Sequence, residues 1–209
     1  MTSSATPDLP RRDTHREGHR DTREHLLSTG EAVIRGKGFA AVGLAEILAE
    51  AGVPKGSFYH YFKSKEAFGT DMLARYFQSY DRQLQQLLSR PGSTARTLLL
   101  DYYMRWASHE GGNCQQACLA VKLSGEVSDL SESMREVLAA GMRSVEKRLA
   151  DAIRRGQQEG SLHADIDADT LAPALYTLWV GAELMAKVQR SSQPLQQALQ
   201  LTEIMLRPQ

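Results

Sequence analysis

The break at Gly52-Val53-Pro54 constrains this chain most. Upstream, Leu44, Ile47, Leu48 and Ala51 recur at the spacing of one helical face. Gly52 can end that helix in the left-handed conformation, and Pro54 suits the first turn of a second helix, where its missing N–H costs nothing. Two short helices joined by so tight a turn form a helix-turn-helix, whose second member enters a DNA major groove. The second segment, from Lys55 to Phe62, has the side chains for that task. Lys55 carries a charge suited to phosphate, Gly56 lets a phosphate or base edge approach closely, and Ser57 offers a hydroxyl. Tyr59, His60 and Tyr61 can reach the groove wall, while Phe58 and Phe62, four apart, share a face and anchor the helix. On these residues alone, an ordinary amphipathic helix over a buried aromatic cluster stays open as the alternative.

The remainder reads as helices and turns, with no hairpin signal and no fixed-period repeat, so the fold class expected is all-α. A first helix is expected over residues 21–37, ending at Gly38, and a long fourth one from about Lys65 to Ser89, stopped by Pro91-Gly92. A fifth runs over about 94–108, and others open at Asp129 or Ser131, at Asp167 or Asp169, and at Pro194. Residues 1–19 have almost no apolar anchor and read as a disordered arm. The organisation expected is therefore an arm over 1–19, a helix-turn-helix unit over 20–66 and a helical body over 67–209. The formal net charge is zero, with 25 Lys and Arg against 25 Asp and Glu. That suits a local basic head on an acidic body better than DNA binding by the whole surface. Apolar runs such as 171–180 are too short to span a bilayer, and no apolar leader stands at the start. A cytoplasmic protein with no membrane partner is expected.

Taken together, Gly38-Phe39, Gly43-Leu44, Ile47-Leu48, Ala51-Gly52-Val53, the run Lys55 to Phe62 and Ser64-Lys65-Glu66 resemble the DNA-binding domain of TetR-type repressors. That resemblance implies an all-helical, TetR-like fold: a DNA-binding head, a ligand-sensing and dimerising body, and a two-fold dimer on palindromic double-stranded operator DNA. It also implies that Lys65, at the start of the fourth helix, touches phosphate. The last two helices are apolar over wide faces, and two from each protomer could build a four-helix homodimer interface.

Cys114 and Cys118 are the only cysteines. Their spacing, with no paired histidines, makes a poor zinc site, so no metal and no cofactor are expected. Read by spacing alone, one is an exposed loop thiol and the other a small buried hydrophobe. The runs from Cys118 to Val127, from Asp129 to Glu132 and from Leu178 to Ala182, with Ala186-Lys187, resemble electrophile-sensing members of the same family. In those members a cysteine matching Cys118 senses reactive electrophiles and oxidants, and a lysine matching Lys187 acts beside it. Ser128 stands where a further cysteine is found in such a relative, so a multi-cysteine mechanism is not carried over. The chemistry is coherent, because the thiolate is the nucleophile and a nearby ammonium favours it. The rival signal is a neutral ligand held without a covalent bond by Tyr102, Tyr103, Trp106, Met142 and Trp179. A module that has lost DNA binding is a third possibility. No nucleophile elbow, phosphate loop or metal pair points to an enzyme.

Overall fold

The computed structural model describes the backbone of residues 14–108 and 118–208, with side chains from residue 21. The described residues form nine α-helices and no strand: α1 Thr14–Lys37, α2 Leu44–Ala51, α3 Lys55–Tyr61, α4 Lys65–Leu88, α5 Ala95–Ala107, α6 Leu119–Val127, α7 Glu132–Gln158, α8 Ala168–Gln189 and α9 Gln193–Met205. None of the described helices is long and apolar enough to cross a membrane.

Local chemistry sets most of the boundaries. Gly52 closes α2 at φ 62° and ψ 29°, its N–H donating to the carbonyls of Ala49 and Leu48. Pro54 is the N-cap of α3, extended at φ −63° and ψ 147°. Ser64, Thr94, Ser131 and Asp167 cap α4, α5, α7 and α8, each side chain accepting from the N–H three residues on. Two differences from the sequence reading stand out. The first helix begins at Thr14, not at Asp21; residues 14–20 hold no proline and no apolar face, so a backbone helix there leaves no periodic trace. The stretch after Cys118, to which the sequence assigned no element, forms the nine-residue α6.

Two hydrophobic clusters fill the molecule. The first joins α1, α2, α3 and the start of α4 through Leu26, Ile34, Ile47, Phe58, Phe62 and Phe68, and continues into α6 and α7 through Leu123, Val127 and Met134. The head therefore shares its core with the upper body. The second lies among α4, α5, α7, α8 and α9, around Tyr103, Leu149, Leu175 and Trp179. Helix α4 spans both and packs along α7. Glycines permit that approach: a Cβ on Gly141 of α7 would lie 2.2 Å from the Phe77 ring of α4. In the second cluster Trp179 donates from Nε1 to Thr202 Oγ1 at 2.9 Å, which ties α8 to α9. The outer sides of these two helices leave Leu184, Met185, Val188, Leu201 and Ile204 exposed.

Candidate DNA-binding face and sensor pocket

Helix α3 is amphipathic over barely two turns. Phe58 is fully buried and packs on Phe62 and Phe68, with ring centroids 5.1 and 5.6 Å away. That anchor turns the opposite side outward. Lys55, Gly56, Tyr59 and His60 are exposed, and Tyr59 shows 51% of its surface. The Lys55 ammonium lies 6.0 Å from the Tyr59 ring centroid, so charge and aromatic face are presented together. Ser57 and Tyr61 are half-buried.

Lys65 has a partner within the protein. Its ammonium donates to the Phe39 carbonyl at 2.6 Å and sits 4.4 Å from the centroid of the Phe39 ring. Burial lowers its pKa from the ordinary 10.5. Lys65 thus ties α4 to the loop between α1 and α2, and its charge is directed into the protein.

Between α4, α5 and the start of α6 lies a cavity of about 450 Å³, walled by Tyr76, Tyr80, Tyr102, Trp106 and Cys118, with Arg35 and Arg105 also lining it. Cys118 is the residue just before α6 and is half-buried. The Tyr76 hydroxyl lies 3.4 Å from the Cys118 sulfur. One turn along α4, the Tyr80 hydroxyl bonds that of Tyr102 at 2.8 Å. Burial raises the pKa of Tyr76, and the neighbouring Cys118 adds to it; burial likewise raises Tyr80 and Tyr102. These phenols therefore stay protonated and act as hydrogen-bond donors across the neutral range.

Of the five residues expected to line a ligand pocket, Tyr102 and Trp106 do so. Tyr103 and Trp179 are fully buried behind the wall, stacked on each other at 5.1 Å, and Met142 packs between the two clusters. Lys187 is exposed on α8 and lies outside the pocket lining. Glu183, one turn before it, accepts a hydrogen bond from Trp106 Nε1 at 3.0 Å. Cys114 lies outside the described residues. Among the described residues no group of three His, Cys, Asp or Glu side chains could hold a metal ion.

The sequence reading missed the connection between the two sites. Lys122 of α6 donates to the carbonyls of Arg35 and Gly36, the latter at 2.8 Å, where α1 ends. Glu126, one turn further on, accepts from the backbone N–H groups of Phe39, at 3.0 Å, and Ala40. The loop turns at Gly38, whose φ of 98° disfavours any side chain. Arg35 connects the same regions a second way: its guanidinium lies 5.6 Å from the Tyr76 ring centroid while pairing with Glu31 at 2.8 Å. The available signal was the four-residue spacing of Cys118, Lys122 and Glu126, which sets them along one stripe of a helix.

Comparison with known proteins gives a consistent picture. The family described as "Bacterial regulatory proteins, tetR family" matches residues 26–68, and "Tetracyclin repressor-like, C-terminal domain" matches residues 95–202. The chain is 45% identical over 183 residues to the HTH-type transcriptional repressor NemR of Escherichia coli (strain K12), covering 86% of this chain and 90% of that protein. It is 35% identical over 199 residues to the transcriptional regulator AcuR of Cereibacter sphaeroides, covering 93% and 90%. The HTH-type transcriptional repressor DhaR of Mycobacterium sp. (strain GP1) is 34% identical over 177 residues, covering 85% and 88%. The crystal structure of the reduced form of E. coli NemR superposes with a TM-score of 0.84 at 43% identity, over 90% of this chain and 98% of that one. The chain belongs to the tetR family of bacterial transcriptional regulators, proteins that control transcription and are not enzymes.

Proposed function

We propose that this protein is a transcriptional repressor that releases its operator when Cys118 reacts with an electrophile or oxidant. The observation that carries the reading is the position of Cys118 at the start of α6, whose Lys122 and Glu126 hold the end of α1 and the loop that follows. Adding a group to the sulfur enlarges the cavity wall at that end of α6. The helix then cannot keep both its seat against Tyr76 and its grip on the head. NemR and DhaR, both repressors by name, support the repressor assignment.

Two copies, joined through the exposed apolar faces of α8 and α9, would present two α3 helices to successive major grooves of a palindromic double-stranded site. Such grooves lie about 34–36 Å apart, so a modest tilt of the heads breaks the match. A coupling of about 1–3 kcal/mol changes affinity roughly 5- to 150-fold, enough for derepression. In this reading Cys118 carries the covalent step, Lys187, exposed on α8, is the lysine that acts beside it, and the protein works in the cytoplasm with the DNA.

The test is operator binding by the wild type and Cys118→Ser, each with and without N-ethylmaleimide. Release by the wild type alone supports the thiol switch. Release of both, or of neither, sinks it. One observation favours a second reading: a cavity of about 450 Å³ falls within the roughly 300–1,000 Å³ usual for small-molecule sites. A non-covalent inducer would release Cys118→Ser as readily as the wild type.

A further inference from the structure

We propose that the phenols of Tyr80 and Tyr102 form an oxyanion-stabilising subsite that selects α,β-unsaturated carbonyl compounds for attack by Cys118, with Tyr76 as the residue that positions the sulfur. The proposal rests on the thiol-switch reading and names the chemical class that the same pocket takes.

The geometry follows from the register of α4. Tyr76 and Tyr80 are four residues apart on one face and their ring centroids are 5.9 Å apart. The first hydroxyl meets the Cys118 sulfur at 3.4 Å, and the second is paired with Tyr102 of α5 at 2.8 Å. All four side chains line the same cavity. A conjugated carbonyl compound has its reactive carbon and its oxygen separated by three bonds, so that carbon and a donor about 2.8 Å beyond the oxygen lie within roughly one helical turn, about 5.4 Å, of each other. A molecule with its reactive carbon at the sulfur thus sets its oxygen toward the phenol pair. A further donor stands behind: the Tyr103 hydroxyl is buried without a hydrogen-bond partner among the described residues, and its phenol is close enough to Tyr80 to feel it electrostatically.

The step balances without an oxidant or a cofactor. The Cys118 thiol gives its proton to solvent, and the thiolate pair forms a carbon–sulfur bond at the β-carbon. The π pair of the carbon–carbon double bond moves to form a new double bond to the carbonyl carbon, whose own π pair moves onto the oxygen. Tyr80 donates to that enolate oxygen while Tyr102 supports Tyr80. The α-carbon then takes one proton from water and the carbonyl re-forms. The net change is addition of S–H across the double bond. Fixed donors aimed at the oxygen that gains charge favour this transition state over others at the same sulfur.

The experiment uses the full chain with Cys114→Ser, so that Cys118 is the sole thiol. Its rate of modification is followed by mass spectrometry with two probes: N-ethylmaleimide, which passes through an enolate, and methyl methanethiosulfonate, which does not. Tyr80→Phe is expected to slow the maleimide about ten- to a hundred-fold, the usual loss for a hydrogen bond to a charged group, and to change the thiosulfonate rate by less than about twofold. Tyr102→Phe is expected to lower the maleimide preference in the same direction and serves if the first variant does not fold. Tyr76→Phe is expected to slow both probes about equally, and Tyr76→His, which keeps a ring hydrogen-bond donor, to recover part of the rate, which lost packing alone would not do. Equal slowing of both probes by Tyr80→Phe and Tyr102→Phe, or of neither, overturns the subsite; equal loss in Tyr76→Phe and Tyr76→His, or no loss in Tyr76→Phe, overturns the positioning role. Operator release is recorded in parallel. Tyrosine-dependent selectivity without release would leave the subsite standing and refute the switch, and release with unchanged selectivity would do the reverse.

Discussion

Glu126 of α6 accepts the backbone N–H of Phe39 at 3.0 Å and that of its neighbour Ala40, so one carboxylate from the body caps the loop that leads into the helix-turn-helix. Hydrogen bonds to a charged group contribute about 1.5–3 kcal/mol each, and removing the acceptor leaves two donors to find water. Glu126→Ala is expected to lower stability by about 1–3 kcal/mol and to shrink the ratio of operator affinities before and after Cys118 modification toward one. Denaturant unfolding and fluorescence anisotropy on labelled operator check the two parts separately.

Lys55 and Lys65 should behave in opposite ways on DNA. Lys55 is exposed on α3 with its charge beside Tyr59, whereas Lys65 is committed to Phe39. Each phosphate neutralised contributes about −0.9 to the slope of log affinity against log salt. Because a dimer carries two copies, Lys55→Ala should reduce the steepness of that slope by about two. Lys65→Ala should leave it nearly unchanged while lowering the denaturation midpoint. A steep loss of slope in Lys65→Ala would return that lysine to the phosphate backbone.

How much of this was legible in the sequence depends on what each feature needs. Helices with a capping Ser, Thr or Asp and an apolar period showed themselves, because both signals are local. Helix α6 did not: Ser124, Gly125 and Glu126 dilute its apolar pattern over only nine residues. The side on which Lys65 lies, and the burial of Tyr103 and Trp179 behind the cavity wall, depend on which helices meet. No spacing within a single helix reports that. The pairing of Cys118 with Tyr76, 42 residues away, is likewise a product of tertiary packing that brings the start of α6 to α4.

The α4–α7 contact leaves no room for growth at Gly141. Its missing Cβ is replaced by the Phe77 ring, 2.2 Å from where the carbon would stand. Gly141→Ala gains roughly 1 kcal/mol in helix propensity but forces the ring aside. Overpacking of this kind costs about 1–3 kcal/mol, so the net effect should be neutral to about 2 kcal/mol of destabilisation. Phe77→Leu in the same chain should recover part of any loss, as a double-mutant cycle would show.

Acid should loosen the same helix pair. Asp81 of α4 receives two hydrogen bonds from Arg148 of α7, at 2.7 and 2.8 Å, and these hold its carboxyl below the ordinary 3.8. A depressed carboxylate stabilises the fold fully above its unfolded pKa, and that contribution is lost as pH falls through the folded value. The window therefore lies below about pH 4. At pH 7 Asp81→Asn should cost about 0.5–1 kcal/mol, since the pair is partly exposed to solvent. The variant should also lose less stability than the wild type between pH 4 and 2, as followed by circular dichroism.

Cys118, Lys122 and Glu126 succeed one another every fourth residue on or beside α6. Eight residues of helix separate the first from the last, a rise of about 12 Å. Each residue added to or removed from that interval would rotate everything beyond it by about 100°. Substitutions between them can be absorbed, but a single insertion or deletion would swing Glu126 off the loop while the thiol stayed in its pocket. The length of this short helix is thus under a stricter constraint than its composition, and tolerance to indels should fall to nothing between residues 118 and 126.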